Sequence, residues 1–282
     1  MIGSRLDEVT SVAMGGVTFH PGKIRHDHSE EHMRLTTPTN IAGSSVLAAG
    51  AFVTAQVHLK DGRVLDIPVT IAPSRPRVQL LSKSIALSPT GSAALIHLGN
   101  DTDLPQYGRL NFFLKSVAPP EFPRDEKIEV ASANGGFSTT LSLADASLTL
   151  QDAQTVLAVL DPAKAFGPSA FGPIRFRPVT GDGVNGDWQP LTNLVRLPSL
   201  KEVHCPASPT KPCTLTGDNL FLIDSVSNTQ QFTRPVVVPM GFAGMTMQVP
   251  RPIGTTLYLK LRDDPATVDL VSLPVMPETD SF

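Results

Sequence analysis

Alternation of apolar and polar residues through FVTAQVHLKDGRVLDIPVTI, residues 52–71, constrains the fold more than any other feature of the chain. A strand turns successive side chains to opposite faces, so a period of two marks a half-buried strand. Val53, Ala55, Val57 and Leu59 alternate with Thr54, Gln56 and His58, and Leu65, Ile67, Val69 and Ile71 alternate with Asp66, Pro68 and Thr70. Asp61-Gly62 lies between the two runs, a dipeptide suited to the positive φ angles of a type I′ turn. The segment therefore reads as a β-hairpin. Pro68 has no N–H to donate, which assigns the second strand to a sheet edge.

The rest of the chain repeats this grammar in shorter pieces. It holds 26 Pro and 21 Gly against 17% charged residues, a composition of many short elements and many turns. APSRPRV at 72–78 reads as a stiff linker. Short apolar runs at 78–81, 93–98, 109–116, 128–131 and 137–143 suit strands, with Leu110, Phe112 and Leu114 on one face of the best of them. Asp152 to Leu160 fits a short helix or a strand equally, with Asp161-Pro162 as its stop. Two Phe-Gly-Pro triplets at 166–173 read as turns ahead of a strand, and Trp188 reads as a core residue between two sheets. After Pro198 come strand-like runs with almost no helical periodicity. The expectation is an all-β chain of tandem β-sandwich modules with at most one short helix, divided at roughly 1–75, 76–198 and 199–282. The first module is short for a sandwich, which suggests the remainder of a unit in a longer parent chain.

Pro212-Cys213-Thr214-Leu215-Thr216-Gly217-Asp218-Asn219-Leu220-Phe221 resembles the opening of immunoglobulin-like IPT/TIG modules, in which a hydroxyl, an aliphatic, Thr-Gly, a polar pair and an apolar residue follow one another. More broadly, the chain resembles the tandem immunoglobulin-like stalks of large bacterial surface proteins. That resemblance implies spacing or adhesion and no shared catalytic residues.

Charge and hydropathy exclude several functions. The net charge is −3 and no basic cluster exceeds Lys23-Ile24-Arg25, so nucleic acid is not an expected partner. No apolar run approaches the roughly 20 residues that span a bilayer. The first residues lack the basic and apolar regions of a secretory signal, so the expectation is a cytosolic protein or a piece of an exported one. Cys205 and Cys213, in CPASPTKPC, favour the second. Three prolines stiffen the loop between them, and a metal site would need further ligands, so a disulfide is expected in preference to two free thiols. A bridge points to an extracytoplasmic compartment.

Candidate chemistry is sparse. HDHSEEH contains His26, His28 and His32, with His20 upstream. His28-x-x-Glu31-His32 matches the inverted zincin pattern, but that chemistry needs a long helix, and this polar segment lies between Pro21-Gly22 and Pro38. It reads as a solvated loop, with His26, His28 and His32 an adventitious site for zinc or nickel. Asp182-Gly183-Val184-Asn185-Gly186-Asp187 resembles half a calcium loop without its terminal glutamate, and Arg262-Asp263-Asp264-Pro265 is a second acidic turn; both read as plain turns. No phosphate loop or nucleophile elbow occurs, and Asn100-Asp101-Thr102 is formally a glycosylation sequon. The expected function is a non-catalytic spacer or adhesion fragment without a cofactor, its partner a protein or a surface glycan. The alternative is a carbohydrate- or calcium-binding accessory module of a secreted enzyme.

Overall fold

The computed structural model describes residues 1–27, 30–37, 47–87 and 94–277. Among these the fold is all-β: the sheets are almost wholly antiparallel, and the one α-helix is the short Pro162–Phe166. Contacts divide the chain into two units, Met1–Ser74 and Arg75–Phe282.

The first unit is a six-stranded sheet in the order Ile2–Gly3, Glu30–Thr36, Val17–Asp27, Val9–Met14, Phe52–Leu59 and Val64–Thr70. Its core is small, built from Leu6, Val9, Val12, Met33, Ala55 and Val57. The hairpin at 52–71 forms with Val64–Thr70 at the edge, where Pro68 stands opposite Thr54 and its missing donor is tolerated. The turn differs from the expected type I′. Gly62 alone takes a positive φ, its N–H donates to Leu59 O, and Leu59 N–H donates to Arg63 O, which makes Lys60-Asp61-Gly62 a three-residue loop ending in a left-handed glycine.

The second unit holds two sandwiches with one strand order. In the first, the seven principal strands are Arg77–Leu87, Gly108–Ala118, Lys127–Ser132, Ser138–Leu141, Thr155–Leu160, Gly172–Val179 and Gln189–Val195, with the short Leu148–Leu150 added outside the fifth. In the second they are Ser199–Cys205, Cys213–Asp218, Ile223–Ser227, Val236–Val237, Thr246–Val249, Thr256–Leu261 and Asp264–Ser272. Each sandwich pairs fifth–second–first in one sheet and fourth–third–sixth–seventh in the other. Leu110, Phe112 and Leu114 all face the first core, as their alternation requires, and Phe112 meets Phe176 across the layers at 6.0 Å between ring centroids. Leu200, Val203, Leu215, Val249, Leu257 and Leu259 fill the second.

The chain does not change sandwich only near residue 198. Ile96–His97 pairs with the seventh strand of the second sandwich, with Ile96 opposite Val271 and buried in that core. The chain then returns, and Leu104–Pro105 runs parallel to Leu194–Val195 in the first. The two sandwiches thus interlock. The open choice at 152–160 resolves as strand Thr155–Leu160, every second residue of which is buried. Asp161-Pro162 starts the helix instead of ending one: the Asp161 carboxylate accepts the Lys164 N–H, and proline occupies the first turn, where no intrahelical N–H partner is needed.

Candidate functional site

On either side of residues 28 and 29, the histidine segment is paired strand and not the expected solvated loop. Val17–Asp27 and Glu30–Thr36 pair antiparallel with Arg25 opposite His32 and His26 opposite Glu31. Directly opposed residues share a face, so His26 and His32 project from opposite faces of the ribbon. His28 lies outside the described residues. Glu31, the general base that the zincin pattern would require, has its carboxylate committed: Oε2 accepts the Leu6 N–H at 2.6 Å, and Oε1 lies 3.6 Å from His26 Nδ1. Among the described residues, no three His, Cys, Asp or Glu side chains converge on a metal-sized site.

Cys205 and Cys213 are joined by a disulfide that links the first and second strands of the second sandwich, the two cysteines standing at a sequence separation of 8. Just beyond it, the Thr-Gly-Asp-Asn-Leu run has a local physical reason. A Cβ on Gly217 would sit 2.5 Å from the Ser199 carbonyl oxygen, and Asn219 takes a left-handed φ of 57° to open the 3-10 turn Leu220–Leu222. The first unit uses the same device, with Arg5 at φ 56° ahead of the 3-10 turn Leu6–Glu8 and strand Val9–Met14. The Asp182–Asp187 loop is a tight turn. Gly186 leaves no room for a Cβ beside Pro76 and Pro178, and Asp187 pairs with Arg75 at 3.2 Å.

Trp188 lies on the outside of the first sandwich instead of in its core. Ile174 and Phe176 point inward from strand Gly172–Val179, so Arg175 and Arg177 point outward, and both guanidinium carbons lie 4.3 Å from an indole ring centroid. Arg177 Nε donates to Glu129 Oε2 at 2.7 Å, and Thr140 stands opposite Glu129 on the next strand. The result is a half-buried indole held against two cations on the outer side of the sheet, with Arg175 Nε shut off from solvent. The ring is engaged by the two guanidiniums, and the partly exposed Arg177–Glu129 pair beside it supplies a donor and an acceptor that suit a hydroxyl-bearing ligand. The sequence signal was available in the alternating Ile174-Arg175-Phe176-Arg177, which sets both arginines on the solvent side.

The joint between the sandwiches concentrates charge. Arg196 grips Asp263 through Nε (2.8 Å), Nη2 (2.7 Å) and its backbone N–H (3.0 Å), and its guanidinium covers the Phe171 ring. Beside it lie Asp103, Asp264 and Asp269. Burial, then the hydrogen-bonding contact with Asp264, pushes the Asp103 carboxyl up to about 6; burial also takes Asp269 to about 6. Elsewhere in the first sandwich, Glu126 is fully buried with both carboxylate oxygens unpartnered, and burial reinforced by the Asp125 charge raises it to about 7. None of these groups carried a local sequence signal, since Asp103 and Asp269 meet across more than 160 positions.

No protein-family model matches the chain, and no curated protein matches it. Among solved structures it is similar to the SGBP-B protein of a Bacteroides ovatus mixed-linkage glucan utilization locus, determined in complex with a mixed-linkage heptasaccharide. That alignment has 12% identity and a TM-score of 0.24, and it covers 98% of this chain and 64% of that one. The chain thus spans less than two thirds of that protein's length. No helix among the described residues is long and apolar enough to cross a membrane.

Proposed function

We propose that the protein is a non-catalytic structural or interaction protein of an extracytoplasmic surface, a spacer or adhesion-type element built on immunoglobulin-like sandwiches. The interlocking of the two sandwiches carries this reading. The exchanged strand Ile96–His97 and the Arg196–Asp263 clamp make a stiff pair suited to holding a surface at a distance. The shared strand order supports the immunoglobulin-like assignment suggested by residues 212–221, and the Cys205–Cys213 bridge supports an oxidising compartment. A screen of glycan, peptide and ester substrates tests the non-catalytic reading. It is expected to show no turnover, and reproducible turnover abolished by one point change would refute it.

A second reading, carbohydrate binding, is favoured by the Trp188 face. Calorimetry against a glycan panel is expected to give at least one saturable isotherm that Trp188→Ala weakens tenfold or more, since loss of the indole releases the two guanidiniums it holds in place. Flat traces across the panel would remove this reading and leave the first intact.

A further inference from the structure

We propose that the joint between the two sandwiches is a proton-operated latch, closed when the buried carboxyls of Asp103 in the first sandwich and Asp269 in the second are protonated and loosened when they ionise. The geometry supplies the reason. Asp103 is 5% exposed, and burial first, then the neighbouring Asp264 carboxylate, raises its pKa. An ionised carboxylate only accepts hydrogen bonds, so a second carboxylate beside it can only oppose its ionisation.

A third acid extends the demand. Asp269 is 1% exposed; its Oδ1 accepts the Gly99 N–H at 3.0 Å, while Oδ2 is buried without a partner. A buried, unpaired carboxylate oxygen is costly as part of an ion and much less so as part of a neutral acid.

Positive charge at the joint is already committed. Lys83 eases the ionisation of Asp103, but its Nζ donates to the Leu191 carbonyl oxygen at 2.8 Å, and Arg196 is saturated by Asp263. Asn100 Nδ2 donates to Asp103 Oδ1 at 2.9 Å, a neutral contact. The groups also sit on the mechanical elements of the joint: Gly99, Asn100 and Asp103 belong to the stretch that returns from the exchanged strand, and Asp264 and Asp269 begin and buttress the strand it pairs with.

The sign follows from the raised values near 6 for Asp103 and Asp269. A carboxyl raised by folding stabilises the closed form below its ordinary value of about 4, and this contribution fades as pH rises through about 6. The latch is therefore closed at pH 5 and loosened at pH 8.

The test is amide exchange at 99–104 in the full-length chain carrying Glu126→Gln, which removes the other buried acid with a raised value. After correction for intrinsic exchange rates, protection is expected to fall at least tenfold from pH 5 to pH 8 in this parent, the ratio of one pKa unit. Asp103→Asn, neutral at every pH, is expected to reduce that dependence, with Asp269 carrying the remainder, and Asp269→Asn gives the same kind of reduction if Asp103→Asn does not fold. A parent whose protection changes less than twofold, or a folded variant that keeps the full dependence, would overturn the proposal. So would calcium restoring protection at pH 8 with one-to-one binding, because the acids would then be a metal site.

Discussion

The two sandwiches of the second unit share a strand order and differ in what holds them. In the first, Phe112 and Phe176 meet in the centre of a large core, and a buried, unpaired Glu126 works against it at neutral pH. The second has no such aromatic pair among its buried residues, and a disulfide ties its first two strands instead. One topology is thus secured by aromatic packing in one case and by a covalent link in the other. The difference teaches that strand order follows from patterning and turn chemistry, while the source of stability is decided separately in each core.

The largest expected effect comes from breaking the packed side of this comparison. Phe112→Ala should cost about 3–5 kcal/mol, the usual range for truncating a fully buried aromatic, measured by denaturant unfolding. A cost below about 1 kcal/mol would mean that the first core does not depend on the aromatic contact.

Next is the covalent side. Replacing Cys205 and Cys213 with Ser should cost about 2–3 kcal/mol, the chain-entropy value for so short a loop, and exchange protection should fall first in strands Ser199–Cys205 and Cys213–Asp218. Protection falling first in the first sandwich would contradict the assignment of the staple to the second core.

The comparison can also be sharpened by removing the internal opposition. Glu126→Gln should raise stability at pH 8 by about 3 kcal/mol, from a value displaced from 4.5 to about 7, and should change little at pH 4, where both states are mostly protonated. In the parent, this contribution declines as pH rises from about 4.5 to 7. Equal effects at both pH values would show that the change acts through packing and not ionisation.

The strands were the most legible part of the molecule. Alternation placed Leu110, Phe112 and Leu114 inward and the hairpin at 52–71 in register, because a period of two is set by the backbone itself, but Leu65 and Ile67 of its edge strand stay exposed, where alternation alone predicts burial. Punctuation was read less well. Asp161-Pro162 looked like a stop and is a start, since proline suits the first turn of a helix as readily as the end of one. Pro21-Gly22 looked like a loop boundary, yet it lies within strand Val17–Asp27 at an irregularity in register. Residue type and its place ahead of the run at 194–198 point Trp188 to the core, whereas the outward arginines of the neighbouring strand hold it half-buried on the outer side. The acids at the joint were invisible because their meeting depends on the strand exchange at Ile96–His97, which no local pattern encodes.

Interlocking is the claim on which the functional reading rests, and native-state hydrogen exchange of the full chain across a urea series tests it most directly. The amides of Gly108–Ala118 in the first sandwich and Thr256–Leu261 in the second are predicted to lose protection at one common urea concentration, because Ile96 and the Arg196–Asp263 clamp tie the two cores together. Two well-separated midpoints, with one sandwich fully protected while the other is open, would contradict the account.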